Sequence, residues 1–389
     1  MADIAATWMR GGTSKCWVFH RDDLEVPGWS RDDVLLRLFG SPDPRQVDGV
    51  GGGTSTTSKA VIVSPAAAGT DWDVDYTFAQ VGIEEPLVDW GSNCGNCSSV
   101  IGLYAVRNGW VPAADDETVV RVHNTNTNQL IMMHVRTPGG VVDERGTELI
   151  PGVPFPGISV ELSFVDPGGV TTGALFPSGS VTDTLDGPGG PVEVTLIDAG
   201  APVVIVPADA VGLTGYETPS EVDARPDVLA LLEDLRRHAA VKMALASDKA
   251  SAARAIPKLA LIAEASGDDA DLTVRMASMG KVHPALAITG SVALTMAARE
   301  PGSVIAQRMP ALTGEEFRMA TPAGVVTTWT GEHSGAPFVR VLRTTRRLAE
   351  ATLILPDRDV GPTAAVSTAP STSSHSSDLG THERVGGDR

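Results

Sequence analysis

Apolar and polar positions alternate with period two through much of the chain. Asp73 to Val81 has an apolar residue at nearly every second position, the pattern of a half-buried strand. Ala5–Met9, Trp17–Phe19, Ala60–Val63, Thr118–His123 and Leu130–Val135 have the same strand character. Helical spacing replaces it over Arg31–Phe39, where Leu35, Leu36, Leu38 and Phe39 form an apolar side. It returns over a run that starts near Cys94 and ends near Asn108-Gly109. Pro226 to Ala246 is the clearest helix, with Leu229, Leu231, Leu232, Leu235 and Val241 on one face. A second series of strands is expected at Val192–Ile197, Pro202–Val206, Leu259–Ala263, Leu272–Met276, Val325–Trp329, Phe338–Leu342 and Arg347–Leu355. Pro151 to Gly190 is rich in Pro and Gly and carries only fragments such as Ser159–Leu162, so the domain crossover is placed there.

Two stretches echo each other. Cys94-Gly95-Asn96 and Thr289-Gly290-Ser291 each follow strands and open an apolar helix, which suggests an internal duplication. In the first, Ser92 or Asn93 can cap the helix, and Gly95 lets a ligand approach the backbone. The first amide N–H groups of a helix lack intrahelical partners and lie at the positive end of its dipole, so a carboxylate would be held there. A thiolate at Cys94 would be favoured by the same field. The plain alternative is a capped helix with two buried cysteines.

Composition narrows the class. The chain has 389 residues, 42% of them hydrophobic and 20% charged, which suits a soluble protein with room for two cores. No apolar run approaches the roughly 18–20 residues that span a bilayer, and Met1–Ala6 lacks the basic and apolar segments of a secretory signal. Three cysteines make no disulfide framework, and a cytoplasmic location is expected. The net charge of −18 argues against a general nucleic-acid surface and requires a locally positive pocket for any anionic ligand.

Several polar clusters could supply that pocket. Arg10-Gly11-Gly12-Thr13-Ser14-Lys15 reads equally as an anion-binding loop and as a hairpin turn. Gly51-Gly52-Gly53 to Ser58-Lys59 has the composition of a linker or phosphate loop. It is no Walker motif, because Lys59 leads into a strand. Lys59 beside Ala-Val-Ile-Val is either a partly desolvated amine or a solvated strand-end lysine. His123 fits a hydrogen-bonded sheet histidine better than a base, and Asn124 to Asn128 suggests a hydrogen-bonding ladder or a turn.

Taken together, Met9–Lys15, Gly51–Lys59, Asn93–Asn96, His123–Asn128 and Ser278-Met279-Gly280-Lys281 resemble the PrpF family, over residues 9 to about 355. That family holds 2-methylaconitate isomerases and related tautomerases of 4-oxalomesaconate or methylitaconate. The resemblance implies an α+β, diaminopimelate-epimerase-like fold. Two similar domains would each wrap a curved, mostly antiparallel sheet round a central helix, with the active site in the interdomain cleft. The expected units are 1–183 plus 344–356, with a helix from about 94, and 184–343, with a helix from about 289. Residues 357–389, rich in Ser, Thr, Pro and Gly, are expected to form a disordered tail.

The implied chemistry is a 1,3-proton shift on an unsaturated di- or tricarboxylate with no cofactor and no metal. By the resemblance, Lys59 is the base and Cys94 the second acid/base or a shaping residue. Substrate carboxylates would be held by Arg10, Thr13, Ser14, Asn96, Cys97, Ser98, Ser278, Met279, His283, Thr289, Gly290 and Ser291. The expected partner is a small-molecule carboxylate, with no nucleic acid and no membrane, and the chain is open to pairing as a homodimer. Two departures stand out. The epimerases of this fold carry a cysteine in each half, where Thr289 stands here, and Cys16 occupies a usual glycine position and would reshape the pocket. An amino-acid racemase, a Cys94-Gly95-Asn96-Cys97 redox protein, zinc binding by Cys16, Cys94 and Cys97, and a silent carboxylate binder are the competing readings.

Overall fold

A computed structural model of the chain describes residues 1–91, 93–187, 190–278 and 280–358. All of the expected tail beyond Arg358 lies outside these residues. In chain order the first half contains β1 (Ala2–Gly11), β2 (Ser14–His20), α1 (Arg31–Phe39), β3 (Lys59–Pro65), β4 (Val74–Val81), β5 (Val88–Asp89), α2 (Gly95–Arg107), β6 (Asp116–Asn124), β7 (Gln129–Thr137) and β8 (Ile158–Val165). The second contains β9 (Asp183–Gly187), β10 (Gly190–Ala199), β11 (Ala201–Pro207), α3 (Pro219–Asp223), α4 (Pro226–Lys242), β12 (Lys258–Glu264), β13 (Leu272–Ser278), β14 (Lys281–Val282), α5 (Ile288–Ala298), β15 (Glu316–Thr321), β16 (Gly324–His333) and β17 (Ala336–Leu355).

The pairing repeats itself. In the first half β1 is antiparallel to β2, β2 parallel to β3, and β3 antiparallel to β4. β4 is antiparallel to the short β5 and parallel to β6, and β6, β7 and β8 follow antiparallel. The same series of relations runs β10, β11, β12, β13, the short β14, β15, β16, β17. The duplication hinted at by two helix starts is thus written into the hydrogen bonds, with α2 and α5 as equivalents.

Each sheet separates two apolar layers by its side-chain alternation. Val18, Val61 and Tyr76 face inward onto α2, while Phe19, Ala60 and Ile62 face outward onto α1. In the second half Val203, Ile205 and Ala260 face α5, and Val204, Val206 and Leu259 face α4. α5 is apolar on nearly every side, as a helix inside a sheet must be. The polar groups that do enter these helices bond back to helical carbonyls: Ser99 Oγ to Asn96 O at 2.7 Å and Thr295 Oγ1 to Ser291 O at 2.7 Å.

Three expectations shift. The buried stripe of α4 is Val228, Leu232, Leu235 and Ala239, whereas Leu229, Leu231 and Val241 lie towards its edges. Phe338–Leu342 and Arg347–Leu355 are parts of one strand of 20 residues, β17. The polar Thr344 and Thr345 between them look like a break, yet both are fully buried and bonded to Arg10. β15 is a strand beyond those expected, with Phe317, Met319 and Thr321 alternating inward along it. β17 pairs with β16, β8 and β1, so it belongs to both halves.

The Asn/Thr run acts as a ladder. Asn126 Oδ1 accepts from the Phe78 N–H at 2.7 Å, and its Nδ2 donates to the carbonyls of Phe78 (2.9 Å) and Trp90 (2.8 Å). Asn126→Ala would leave these backbone groups unpaired, at a cost of about 2 kcal/mol. A denaturant titration is expected to show that loss; an unchanged midpoint would remove the ladder role. His123, bonded to Asp75 at 3.2 Å and Asn128 at 2.8 Å, is a sheet histidine as expected. Among the described residues no helix is long and apolar enough to cross a membrane.

Candidate active site

The starts of the two central helices meet. A Cβ added at Gly95 would lie 2.8 Å from both Cβ and Cγ2 of Ile288, so only glycine permits this approach. A cavity of about 90 Å³ opens beside the contact, room for several waters and hence for a compact organic acid. Its wall takes Lys59, Phe78 and Gln80 from β3 and β4, and Asn93 to Asn96 from the start of α2. Ser14, Ser55 and Thr56 come from the β1–β2 turn and the Gly-rich loop, while Lys258, Lys281, His283 and Thr289 come from the second half. Three lysines and no acidic side chain line it among the described residues, in a chain with a net charge of −18.

The helix starts differ from expectation. Cys94 itself is the N-cap of α2 and makes no side-chain cap. Ser92 is outside the described residues, and Asn93 turns away from the helix end. Its Oδ1 accepts from Ser98 Oγ at 3.3 Å and from the Tyr76 hydroxyl at 3.4 Å, and its buried Nδ2 has no partner among the described residues. The N-cap of α5 is Ala287, also without a side-chain cap. Ser98 N bonds to Cys94 O and Ser291 N to Ala287 O, which fixes the register. The counterpart of Cys94 is therefore Ala287, and Thr289 corresponds to Asn96. The first turn of any helix offers backbone N–H groups without intrahelical partners, a setting that suits an anion.

Lys59 is buried, and its Nζ donates to Gln80 Oε1 at 2.6 Å. Gln80 is fixed in turn by its Nε2 bond to Ser58 O at 2.8 Å, and the Phe78 ring centre lies 4.9 Å from the amine. Lys258 opens β12 as Lys59 opens β3. Its Nζ is buried without a partner among the described residues, and its pKa is lowered to about 8, mainly by burial and further by Lys59. His283 Nδ1 accepts from the Ala285 N–H at 3.0 Å, which leaves the ring hydrogen on Nε2. Burial, then the charges of Lys59, Lys258 and Arg343, push its pKa down to about 4, so it is neutral near pH 7.

The thiols do not follow the field argument. The contact with Cys97 and burial push the Cys94 thiol well up, and burial does the same for Cys97. The contacts among the three sulfurs and their burial oppose charge more than one helix dipole favours it. Cys94 is a proton-bearing thiol here. Cys16 is buried against Cys97 and does not reach the cavity, so it reshapes the wall only through its neighbour. All three cysteines are free, and no group of three His, Cys, Asp or Glu side chains suited to a metal occurs among the described residues.

The structure brings together Lys59, Cys94, Ser14, Asn96, His283 and Thr289. Arg10 and Thr13 line a neighbouring hollow instead. Arg10 ties the β1–β2 turn to β17, donating to Thr344 O and Oγ1 at 2.8 Å each. Thr13 reaches the first site only through Asn96, whose Nδ2 donates to it at 3.2 Å. Cys97, Ser98, Gly290 and Ser291 lie within the helices, behind the lining residues; Ser98 and Ser291 bond to the carbonyls of Cys94 and Ile288. Met279 is outside the described residues, as is the side chain of Ser278. Lys258 was not singled out from the sequence, and Asn93 and Lys281 stood there only within the family motifs, not as ligands. Lys258 had a visible signal, a lysine directly before an apolar strand in each half.

Comparison with known proteins follows the same lines. The family model described as PrpF protein matches residues 1–356. The chain is 39% identical over 350 residues to a 2-methyl-aconitate isomerase of Shewanella oneidensis, covering 83% of this chain and 88% of that protein. It is 36% identical over 307 residues to a (4E)-oxalomesaconate Delta-isomerase of Novosphingobium sp., covering 79% and 84%. The crystal structure of a methylitaconate-delta-isomerase superposes with a TM-score of 0.77 at 34% identity, covering 93% of this chain and 99% of that one. A probable proline racemase from Agrobacterium radiobacter K84 shares the fold alone, at a TM-score of 0.55 and 15% identity, covering 92% and 94%.

Proposed function

The chain belongs to the PrpF family and is an isomerase, and from that premise we propose that it moves an allylic proton in an unsaturated di- or tricarboxylate without a cofactor. The observation that carries this reading is the cavity itself: three lysines and two helix starts without side-chain caps, and no acidic side chain among the described residues of its wall, in an acidic protein. Such a site attracts several carboxylates at once and lowers the energy of negative charge that develops beside them. The names of the relatives point to 2-methylaconitate, methylitaconate and oxalomesaconate as the substrates to try.

In the proposed mechanism Lys59 takes a proton from the carbon next to the conjugated alkene. The bonding pair moves into the C=C–carboxylate system and gives a dienolate. Cys94, a protonated thiol at the helix start, returns a proton to the far carbon. The double bond then lies one position along; return of the proton to the original carbon after rotation gives cis–trans isomerisation instead. Gln80 orients the amine, and His283 Nε2–H and the helix N–H groups hold carboxylates. A cytoplasmic location is part of this proposal, and the odd count of three cysteines supports it.

A panel of methylaconitate, aconitate, itaconate and oxalomesaconate incubated with the enzyme in D2O is expected to show deuterium at allylic carbons of at least one acid, read by proton NMR. Exchange is expected with no added metal or cofactor and in the presence of a chelator. Absence of exchange with all four would overturn the reading.

A further inference from the structure

The two halves place one lysine each in the cavity, at the same point of the repeated sheet. Lys59 precedes Ala60, which pairs with Trp17 of β2; Lys258 pairs directly with Val203 of β11, the counterpart strand. Their surroundings differ. Lys59 has Gln80 as a fixed acceptor, whereas Lys258 is 6% exposed, and its Nζ is fully enclosed and unpartnered among the described residues. A buried ammonium without a counter-charge is costly to keep, and a protein that keeps one is built to have it paired by a ligand.

We propose that Lys258 is the clamp for the substrate carboxylate conjugated with the double bond, the group on which charge grows as the dienolate forms. The duplication thus supplied two equivalent lysines with divided roles, one for the proton and one for the charge. This rests on the isomerase mechanism above for the identity of that carboxylate, but the clamp itself needs only a polycarboxylate in the cavity. The groups facing Lys258 are Cys94 from the start of α2, Lys59 from β3, Asp89 from β5 and His283 after β14. The thiol and the imidazole are neutral near pH 7, and Asp89 raises the Lys258 pKa without forming an ion pair with it, so among the described residues no side chain of the cavity wall neutralises the ammonium.

The consequence is linkage to protons. The free enzyme holds Lys258 at a pKa of about 8, and a bound carboxylate favours the ammonium, so binding at pH 8.5 takes up a proton. The probe is tricarballylate, a saturated tricarboxylate, titrated calorimetrically in buffers of different ionisation enthalpy. Wild type is expected to take up more than half a proton; Lys258→Met is expected to take up little and to bind at least tenfold more weakly. With a turned-over acid of the panel, Lys258→Met should lower kcat by about 10- to 100-fold and change KM less, because charge on that carboxylate is greatest in the transition state.

Folding serves as a control. A cation whose folded pKa is depressed weakens the fold fully below that pKa, and the penalty fades as pH rises towards the ordinary lysine range. Lys258→Met should therefore be at least as heat-stable as wild type at pH 7, with the gain disappearing above about pH 10. Should it misfold, Lys258→Gln carries the same titration. Equal affinity and equal proton uptake in the variant, or no tricarballylate binding by wild type, would overturn the clamp. Lys258-linked uptake in an enzyme that exchanges no allylic proton would instead uphold the clamp and overturn the isomerase mechanism.

Discussion

Lys59→Met is expected to abolish allylic exchange in D2O and to lower isomerisation by about 10³-fold or more, the scale of losing a positioned base. The side chain reaches the cavity from the first residue of β3, and its direction is set by the Gln80 bond at 2.6 Å. Methionine keeps the apolar stem against Phe78 but cannot carry a proton. The fold should survive, because Gln80 keeps its Nε2 bond to Ser58 O and its side chain borders the cavity, where water can replace the lost amine. A rate within tenfold of wild type, with normal exchange, would remove Lys59 from the reaction. Loss of exchange at unchanged affinity for tricarballylate would separate its proton role from simple binding of charge.

Gly95→Ala is expected to cost about 1–3 kcal/mol of stability, as an overpacked contact does. It should lower kcat by about 10²-fold, because a shift of about 1 Å in a catalytic group is enough for that. The added methyl would lie 2.8 Å from Ile288 Cβ and Cγ2, inside any ordinary contact. The chain can relieve it only by parting the two helix starts, which moves Cys94 away from Thr289 and His283. Ile288→Ala removes Cγ2, so the double variant should recover part of both losses. A denaturation midpoint and a rate unchanged by Gly95→Ala would show that the halves do not meet as described.

Much of this was legible because the signal was local. Period-two alternation marked most of the long strands, and the small-residue run after Thr289 marked a helix enclosed on all sides. Cys94 was visible beside Gly95, and Lys59 as a lysine directly before an apolar strand. The remainder depended on distance. Arg10 looks like an anion ligand in its own loop, and only β17, more than 330 residues on, reveals that its Nη1 donates to Thr344. The charge state of Cys94 depends on contacts among sulfurs from two segments. The sequence echo aligns Thr289 with Cys94, whereas the backbone bonds that fix the helix register put Ala287 there. Lys258 was readable only once the two strand-opening lysines were compared.

β17 has a bearing on how the chain assembles itself. The first half has its hairpins and central helix by Val165, but the strand that joins β8 to β1 is Ala336–Leu355. During synthesis the first sheet therefore waits with two unpaired edges for more than 170 residues, at about 5–20 residues per second. Exposed edges of that kind attract other strands. Closure of the first sheet and completion of the second are then a single late event, so the cleft and its lysines come into existence together.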